Sequence, residues 1–229
     1  STHTKGTLPV IQFPRSLARQ LRAIFRRCVR KANGSAPPLV EFHASTDGLQ
    51  VQLVSTEFAI RFSQLGSFIR DTAQLPLTAL ADVEGSGSQL VSVENAGPNK
   101  VAARWDDGGV PRFVEYDLPA GDHPPLPDPP ERFVSDPPAL LKALDEAVKT
   151  TAVERVKFAL DRVQLRGKVG EIAATDSKQA LIQGGFSFPW EGDLLVTRLP
   201  VFGLSELGQN QSVEVGRTDG HVVLRTGSW

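Results

Sequence analysis

Methionine is absent from the 229 residues, cysteine and tyrosine occur once each, and there are four histidines. A lone cysteine, Cys28, excludes an intrachain disulfide and any cysteine-built metal cage. His3, His43, His123 and His221 lie far apart and lack metal-ligand spacing, and no Gly-rich phosphate loop is present. No apolar run is long enough to span a bilayer and no basic-then-apolar leader opens the chain, so the cytoplasm is the expected compartment and no membrane partner is expected. With no methionine, Ser1 is expected to be a processed end or a boundary within a longer chain. Asp106, Asp107, Asp122 and His123 could in principle hold a divalent cation for nuclease chemistry. Asp-Gly pairs between strands read more simply as turns. Trp105, Trp190 and Trp229 are too scattered for a base-stacking platform. A non-catalytic protein without a cofactor is the expectation.

A further absence is local. From Arg15 to Lys31 the chain reads RSLARQLRAIFRRCVRK, seven basic residues in seventeen positions with no acid among them. At about 100° per residue on a helix, Arg15, Arg19, Arg22, Arg26 and Arg30 fall within about 80° of one another, and Arg27 and Lys31 flank them. Leu17, Leu21, Ile24, Phe25 and Cys28 gather on the opposite side, which suits packing under a sheet. Cys28 is thereby expected to be a buried structural thiol. Like charges spaced i, i+4 weaken an isolated helix by a few tenths of a kcal/mol per pair, so an external compensating polyanion is implied. Arginine forks match phosphate oxygens, and each neutralised phosphate releases counterions. An ordinary solvated face is the alternative reading of such a charge run.

The formal net charge of −1 conceals this segregation. Setting the seven helix cations aside leaves 18 basic against 26 acidic residues, so one basic face belongs to an otherwise acidic molecule. Such a molecule can bind a polyanion locally and repel it elsewhere.

In chain order, Leu8 to Pro14 reads as a strand and the basic helix follows, with Asn33-Gly34 as its stop. Strand-like runs at 39–44, 49–54 and 58–62 surround an Asp47-Gly48 turn. A short helix is expected over Leu75 to Gly85, then strands near 90–94, 101–105 and 112–118, the last two joined at Asp106 to Gly109. Pro119 to Arg132 holds six prolines in fourteen residues and reads as an extended linker. The expected domains are therefore 1–127 and 128–229.

The second half repeats the order of the first. A strand at 132–137 precedes a helix at Ala139 to Lys149, and strands are expected at 156–166, 169–174, 179–188 and 193–198. LPVFGLSELG from Leu199 echoes LPLTALADVE from Leu75, and Leu140 and Val213 stand about 123 residues beyond Leu17 and Val91. A period of that length implies a duplicated α+β domain, with a few helices covering one face of antiparallel sheets.

Three segments carry a resemblance. FVEYDLPAGDHPPLP, Phe113 to Pro127, resembles the F-x-L-x-x-LPAEDFPxLP junction of the bacterial sliding clamp, the DNA polymerase III beta subunit. FALDRVQLRGKVGEIAATDSKQAL, Phe158 to Leu181, is similar to that family's YLNGVLLEIEDGxLxLVATDGHRLA, and LPVFGLSEL to its VPAKALKEL. The three stand in the family's order.

The resemblance implies a DNA-clamp fold of duplicated domains, with antiparallel sheets outside and helices on the inner face of a homo-oligomeric ring. Double-stranded DNA would thread the ring against Arg15, Arg19, Arg22, Arg26, Arg27, Arg30, Lys31 and Lys149, without base readout. The ring would tether a DNA polymerase or repair enzyme, with a clamp loader as a further candidate partner. Lys157, Lys178, Gln179 and Leu181 fall at the family's partner-peptide cleft, where ATDSKQAL departs from ATDGHRLA. The family chain has three such domains and this sequence covers two. A six-domain ring would then take three chains, unless a further domain lies outside the sequence given. The helix at Ala139 also carries Asp145 and Glu146, so one helix per chain would supply most of the positive lining. A clamp-fold interaction scaffold that does not encircle DNA is the alternative.

Overall fold

The computed structural model describes residues 10–29, 37–119, 124–153 and 159–229. The chain divides into two compact units, Ser1–Pro124 and Pro125–Trp229. No helix among the described residues is long and apolar enough to cross a membrane.

In the first unit, β1 (Ile11–Pro14) runs straight into α1 (Arg15–Cys28). Pro14 makes that junction possible, because its fixed φ of −70° suits the residue before a first helical turn. β2 (Leu39–Ser45), β3 (Gly48–Val54), β4 (Ala59–Leu65) and β5 (Asp71–Pro76) form one antiparallel sheet in the order β4-β3-β2-β5. After α2 (Ala79–Val83), β6 (Leu90–Gly97), β7 (Lys100–Asp107) and β8 (Val110–Asp117) complete a second, ordered β1-β6-β7-β8. Phe13 of one sheet stacks on Phe42 of the other with ring centroids 4.9 Å apart. Leu17, Leu21, Ile24 and Phe25 of α1 are buried, each such side chain stabilising the unit by about 1.5–3 kcal/mol. Cys28 closes that face: its thiol donates to the Ile24 carbonyl, and burial pushes its pKa up to about 12. It is an inert packing group.

The second unit repeats the connectivity. β9 (Phe133–Asp136) leads into α3 (Ala139–Thr150). β10 (Arg162–Arg166), β11 (Glu171–Thr175), β12 (Ala180–Gly184) and β13 (Asp193–Thr197) form a sheet in the order β12-β11-β10-β13. β14 (Val213–Arg217) and β15 (Val222–Arg225) join β9 as β15-β14-β9. The two units thus share one topology, except that no strand among the described residues corresponds to β8.

Several expectations are corrected. The basic helix ends at Cys28, because Val29 turns extended at φ −87°, ψ 121°. Its expected stop, Asn33-Gly34, lies outside the described residues. Residues 71–76, part of which was expected in a helix from Leu75, instead pair with β2 from Leu39↔Pro76 to Ala44↔Asp71. Ala73 and Leu75 alternate inward there, a period of two that a helix cannot satisfy. The helix that the echo of Leu75 to Gly85 implies from Leu199 shrinks to a 3-10 turn at Ser205–Leu207 that stops at left-handed Gly208. Pro200 and Gly203 oppose a helix here. A side chain at Gly203 would also meet the Asp145 carboxylate at 2.7 Å, so the backbone must come close to α3. Of the strand expected over 156–166, residues 156–158 lie outside the described residues and β10 starts at Arg162; the strand expected through Phe188 ends at Gly184.

One position distinguishes the units sharply. Phe13 faces Val91 across β1 and β6, while Asp136 faces Val213 across β9 and β14. A carboxyl therefore occupies the place of an aromatic core residue, only 3% exposed. Its Oδ1 accepts the Ser187 N–H at 2.8 Å, and its Oδ2 has no partner. Burial raises its pKa above the ordinary 3.8, against the lowering effect of the Ser187 N–H. A raised folded-state pKa means that the proton binds the native state more tightly than the unfolded one. Stability from this group is therefore greatest below the unfolded value and is lost as pH rises through the folded one. The second unit is expected to gain stability as pH falls from 7 toward that window, and Asp136→Asn to abolish this gain. Urea unfolding followed by tryptophan fluorescence across pH tests both, and an unaltered pH profile in the variant would refute the assignment.

Candidate nucleic-acid interface

The candidate interface is the outer face of α1. Because Leu17, Leu21, Ile24, Phe25 and Cys28 point inward, the helical period turns Ser16, Arg19, Arg26 and Arg27 fully outward, with Gln20, Arg22 and Ala23 half-buried beside them. Arg19 and Arg26 lie two turns apart, about 10.5 Å along the axis at 1.5 Å per residue. Arg19, Arg26 and Arg27 make no ion pair or hydrogen bond with a described acidic side chain, and the helix contributes no acid of its own. Arg26 and Arg27 fall in the last turn, where cations are favoured by the helix dipole.

The five-arginine stripe is not uniform. Arg15 is only 12% exposed and is built into the fold. Its Nε donates to the Val83 carbonyl at 3.1 Å and its Nη2 to the Glu84 carbonyl at 2.8 Å. Its Nη1 reaches the Asp106 carbonyl at 3.1 Å and Asp107 Oδ1 at 3.0 Å. The guanidinium thus caps the open carbonyls at the end of α2 and fastens the β7–β8 turn. Arg15, expected to face phosphate, instead has its donors directed into the protein. Arg22 is intermediate: its Nη1 pairs with Glu84 Oε1 at 2.6 Å. Arg30 and Lys31 lie outside the described residues.

The corresponding helix of the second unit carries paired charges. Leu140 and Leu144 of α3 are buried as Leu17 and Leu21 are in α1, which sets Lys142, Asp145 and Lys149 at the positions of Arg19, Arg22 and Arg26. Lys149 Nζ lies 2.5 Å from Asp145 Oδ2, and Lys142 Nζ lies 3.9 Å from Glu146 Oε1. These i, i+4 pairs leave the exposed face of α3 close to neutral. Lys149, expected beside DNA, is exposed with its charge offset by Asp145.

The residues expected to meet a partner gather in the β11–β12 hairpin. Asp176 Oδ1 accepts the backbone N–H groups of both Lys178 and Gln179 at 2.9 Å. Those bonds, Gln179 first and then Lys178, hold its carboxyl below the ordinary range. The Thr175 hydroxyl donates to the Gln179 carbonyl and accepts the Ser177 N–H, and Ser177 adopts φ +80°. The turn is therefore rigid, with Lys178 and Gln179 exposed at its tip and Leu181 half-buried on β12. Lys157 lies outside the described residues, as do Asp122 and His123 of the metal reading. Asp106 and Asp107 are engaged locally: the Asp106 carboxylate accepts the Gly109 N–H at 2.6 Å, and Asp107 holds Arg15.

Sequence reasoning missed Glu84. Its separation of 62 residues from Arg22 hides the pairing from any periodicity argument.

No protein-family model matches the chain, and neither does any curated protein. Solved structures do. A sliding clamp (DNA polymerase III subunit beta) from Pseudomonas aeruginosa superposes with a TM-score of 0.74 at 15% identity, over 97% of this chain and 63% of its own. The polymerase sliding clamp of Bacillus subtilis gives 0.71 at 14% identity, over 97% and 63%. A putative DNA polymerase III beta subunit from Eubacterium rectale gives 0.74 at 11% identity, over 96% and 62%. The chain therefore spans less than two thirds of the length of these proteins. The fold is that of the bacterial sliding clamp, as the three sequence segments imply.

Proposed function

We propose that this chain, carrying the sliding-clamp fold, is a non-catalytic clamp-like processivity factor that encircles duplex DNA and tethers a polymerase or other DNA enzyme. The observation that carries the proposal is the outer face of α1: Arg19, Arg26 and Arg27 exposed together, without an acid on the same helix, on that fold. Cations so placed neutralise phosphates without reaching base edges, which gives sequence-independent and salt-sensitive binding. The two domains, 1–127 and 128–229, would each supply a helix to the lining, with Arg19, Arg26 and Arg27 as the main contacts. Arg30 and Lys31 would extend that lining and Lys149 add weakly to it. A ring holds its cargo by topology, raising the partner's effective concentration at the template without tight contact. The hairpin carrying Lys178, Gln179 and Leu181, together with Lys157, is the proposed partner-contact region.

Retention on DNA tests the encircling. The protein is incubated with nicked circular plasmid, washed in moderate salt, and the plasmid is then linearised. Retention on the circle followed by release on linearisation is the expected result. Binding indifferent to linearisation would limit the protein to an open basic surface.

The neutral face of α3 favours a second reading, a clamp-fold scaffold that does not enclose DNA. It predicts capture of protein partners with no retention on either form of plasmid.

A further inference from the structure

The basic face of α1 carries its own internal competitor. Glu84 stands at the C-terminal end of α2, where its backbone carbonyl is fixed by Arg15 and its N–H bonds the Leu80 carbonyl. Its position is thus determined independently of its side chain. The carboxylate then reaches α1 and takes Arg22 at 2.6 Å. Arg22 lies three residues from Arg19 and four from Arg26, so it adjoins both on the helix surface. Both members of the pair remain about 30% exposed, 31% for Arg22 and 27% for Glu84, within reach of an incoming polyanion. In the second unit the position of Arg22 is taken by Asp145, which lies against Gly203 and pairs with Lys149. Carboxylates thus offset cations on both helix faces, one in the first unit and two, with Glu146 on Lys142, in the second.

We propose that Glu84 is an electrostatic brake on this face: by holding Arg22 it withholds one phosphate contact from duplex DNA and so weakens binding. The inference rests on the proposed DNA-facing role of α1 and concerns how that face is regulated.

Glu84→Gln removes the charge, keeps the side-chain volume, and leaves untouched the backbone carbonyl that Arg15 uses. It is tested with a fluorescein-labelled duplex, whose dissociation constant is measured between 50 and 200 mM salt for the wild type, Glu84→Gln and Glu84→Gln with Arg22→Gln. One additional phosphate contact steepens the log–log salt slope by about 0.9, so the advantage of Glu84→Gln should shrink about 3.5-fold over that range. Adding Arg22→Gln should return the slope and affinity to the wild-type values. DNA binding by the wild type with no gain in Glu84→Gln overturns the brake and leaves the DNA-facing reading standing. A gain that survives Arg22→Gln overturns it too, because the effect would then be general charge. Absence of binding in all three proteins defeats both readings. Binding by Glu84→Gln alone supports the brake.

Discussion

Reversing Arg19, Arg26 and Arg27 together to glutamate is expected to abolish measurable duplex binding at physiological salt while leaving the fold intact. With a salt slope of about 0.9 per neutralised phosphate, each contact contributes about eightfold at 0.1 M relative to 1 M, and three contribute about 500-fold. Reversal adds repulsion beyond that loss. The fold should persist because all three side chains point outward, and reversing Arg26 and Arg27 against the helix dipole costs only about 0.3–1 kcal/mol each. A triple glutamine variant separates the terms: it should lose about 2.7 units of salt slope without the repulsion. Fluorescence anisotropy at several salt concentrations, alongside a thermal melt, reads all of this. An unchanged slope in a folded triple variant would remove α1 from the interface.

The second large effect belongs to Arg15 and concerns stability. Arg15→Ala is expected to destabilise the first unit by about 1–3 kcal/mol, since the guanidinium is only 12% exposed and its removal leaves part-buried carbonyls without their donor. Left without a donor are the part-buried carbonyls of Val83 and Glu84, while the exposed Asp106 carbonyl and Asp107 carboxylate return to water. Arg15→Lys should recover only part of the loss, because an ammonium cannot reproduce the planar fork that reaches both α2 and the β7–β8 turn. Urea unfolding followed at Trp105, on β7 beside that turn, is the measurement. Wild-type stability in Arg15→Ala would mean that these hydrogen bonds merely replace equivalent ones to water.

The contrast between Arg15 and Arg19 shows what the sequence could and could not convey. Amphipathic spacing placed the buried side of α1, and Arg19 and Arg26 on its exposed side, because helical angle is a local property fixed by 3.6 residues per turn. The Asp47-Gly48 and Asp106 to Gly109 turns were legible for a similar reason, their backbone demands being written in adjacent residues. A helical wheel, however, assigns directions and not acceptors. Nothing near Arg15 announces that it will meet carbonyls some 68 to 91 residues away. β5 escaped notice because only Ala73 and Leu75 carry its inward face, a pattern too short to outweigh the helix-forming residues after it. Asp136 was read as part of a strand ending, since only its cross-strand position opposite Val213 reveals a carboxyl where the first unit has Phe13.

The anchoring of Arg15 bears also on the order in which the first unit assembles. Its guanidinium can close on Asp107 only after α2 and the β7–β8 hairpin exist, since that carboxylate lies 92 residues further along the chain. A contact that needs both elements in place is expected to close after the folding barrier, and a φ-value near zero for Arg15→Ala, from folding and unfolding kinetics, is the check. Losing one mainly accelerates unfolding and leaves the folding rate nearly unchanged. On that expectation Arg15 is a lock on the finished domain, setting how long it stays closed once made and contributing little to how fast it is found.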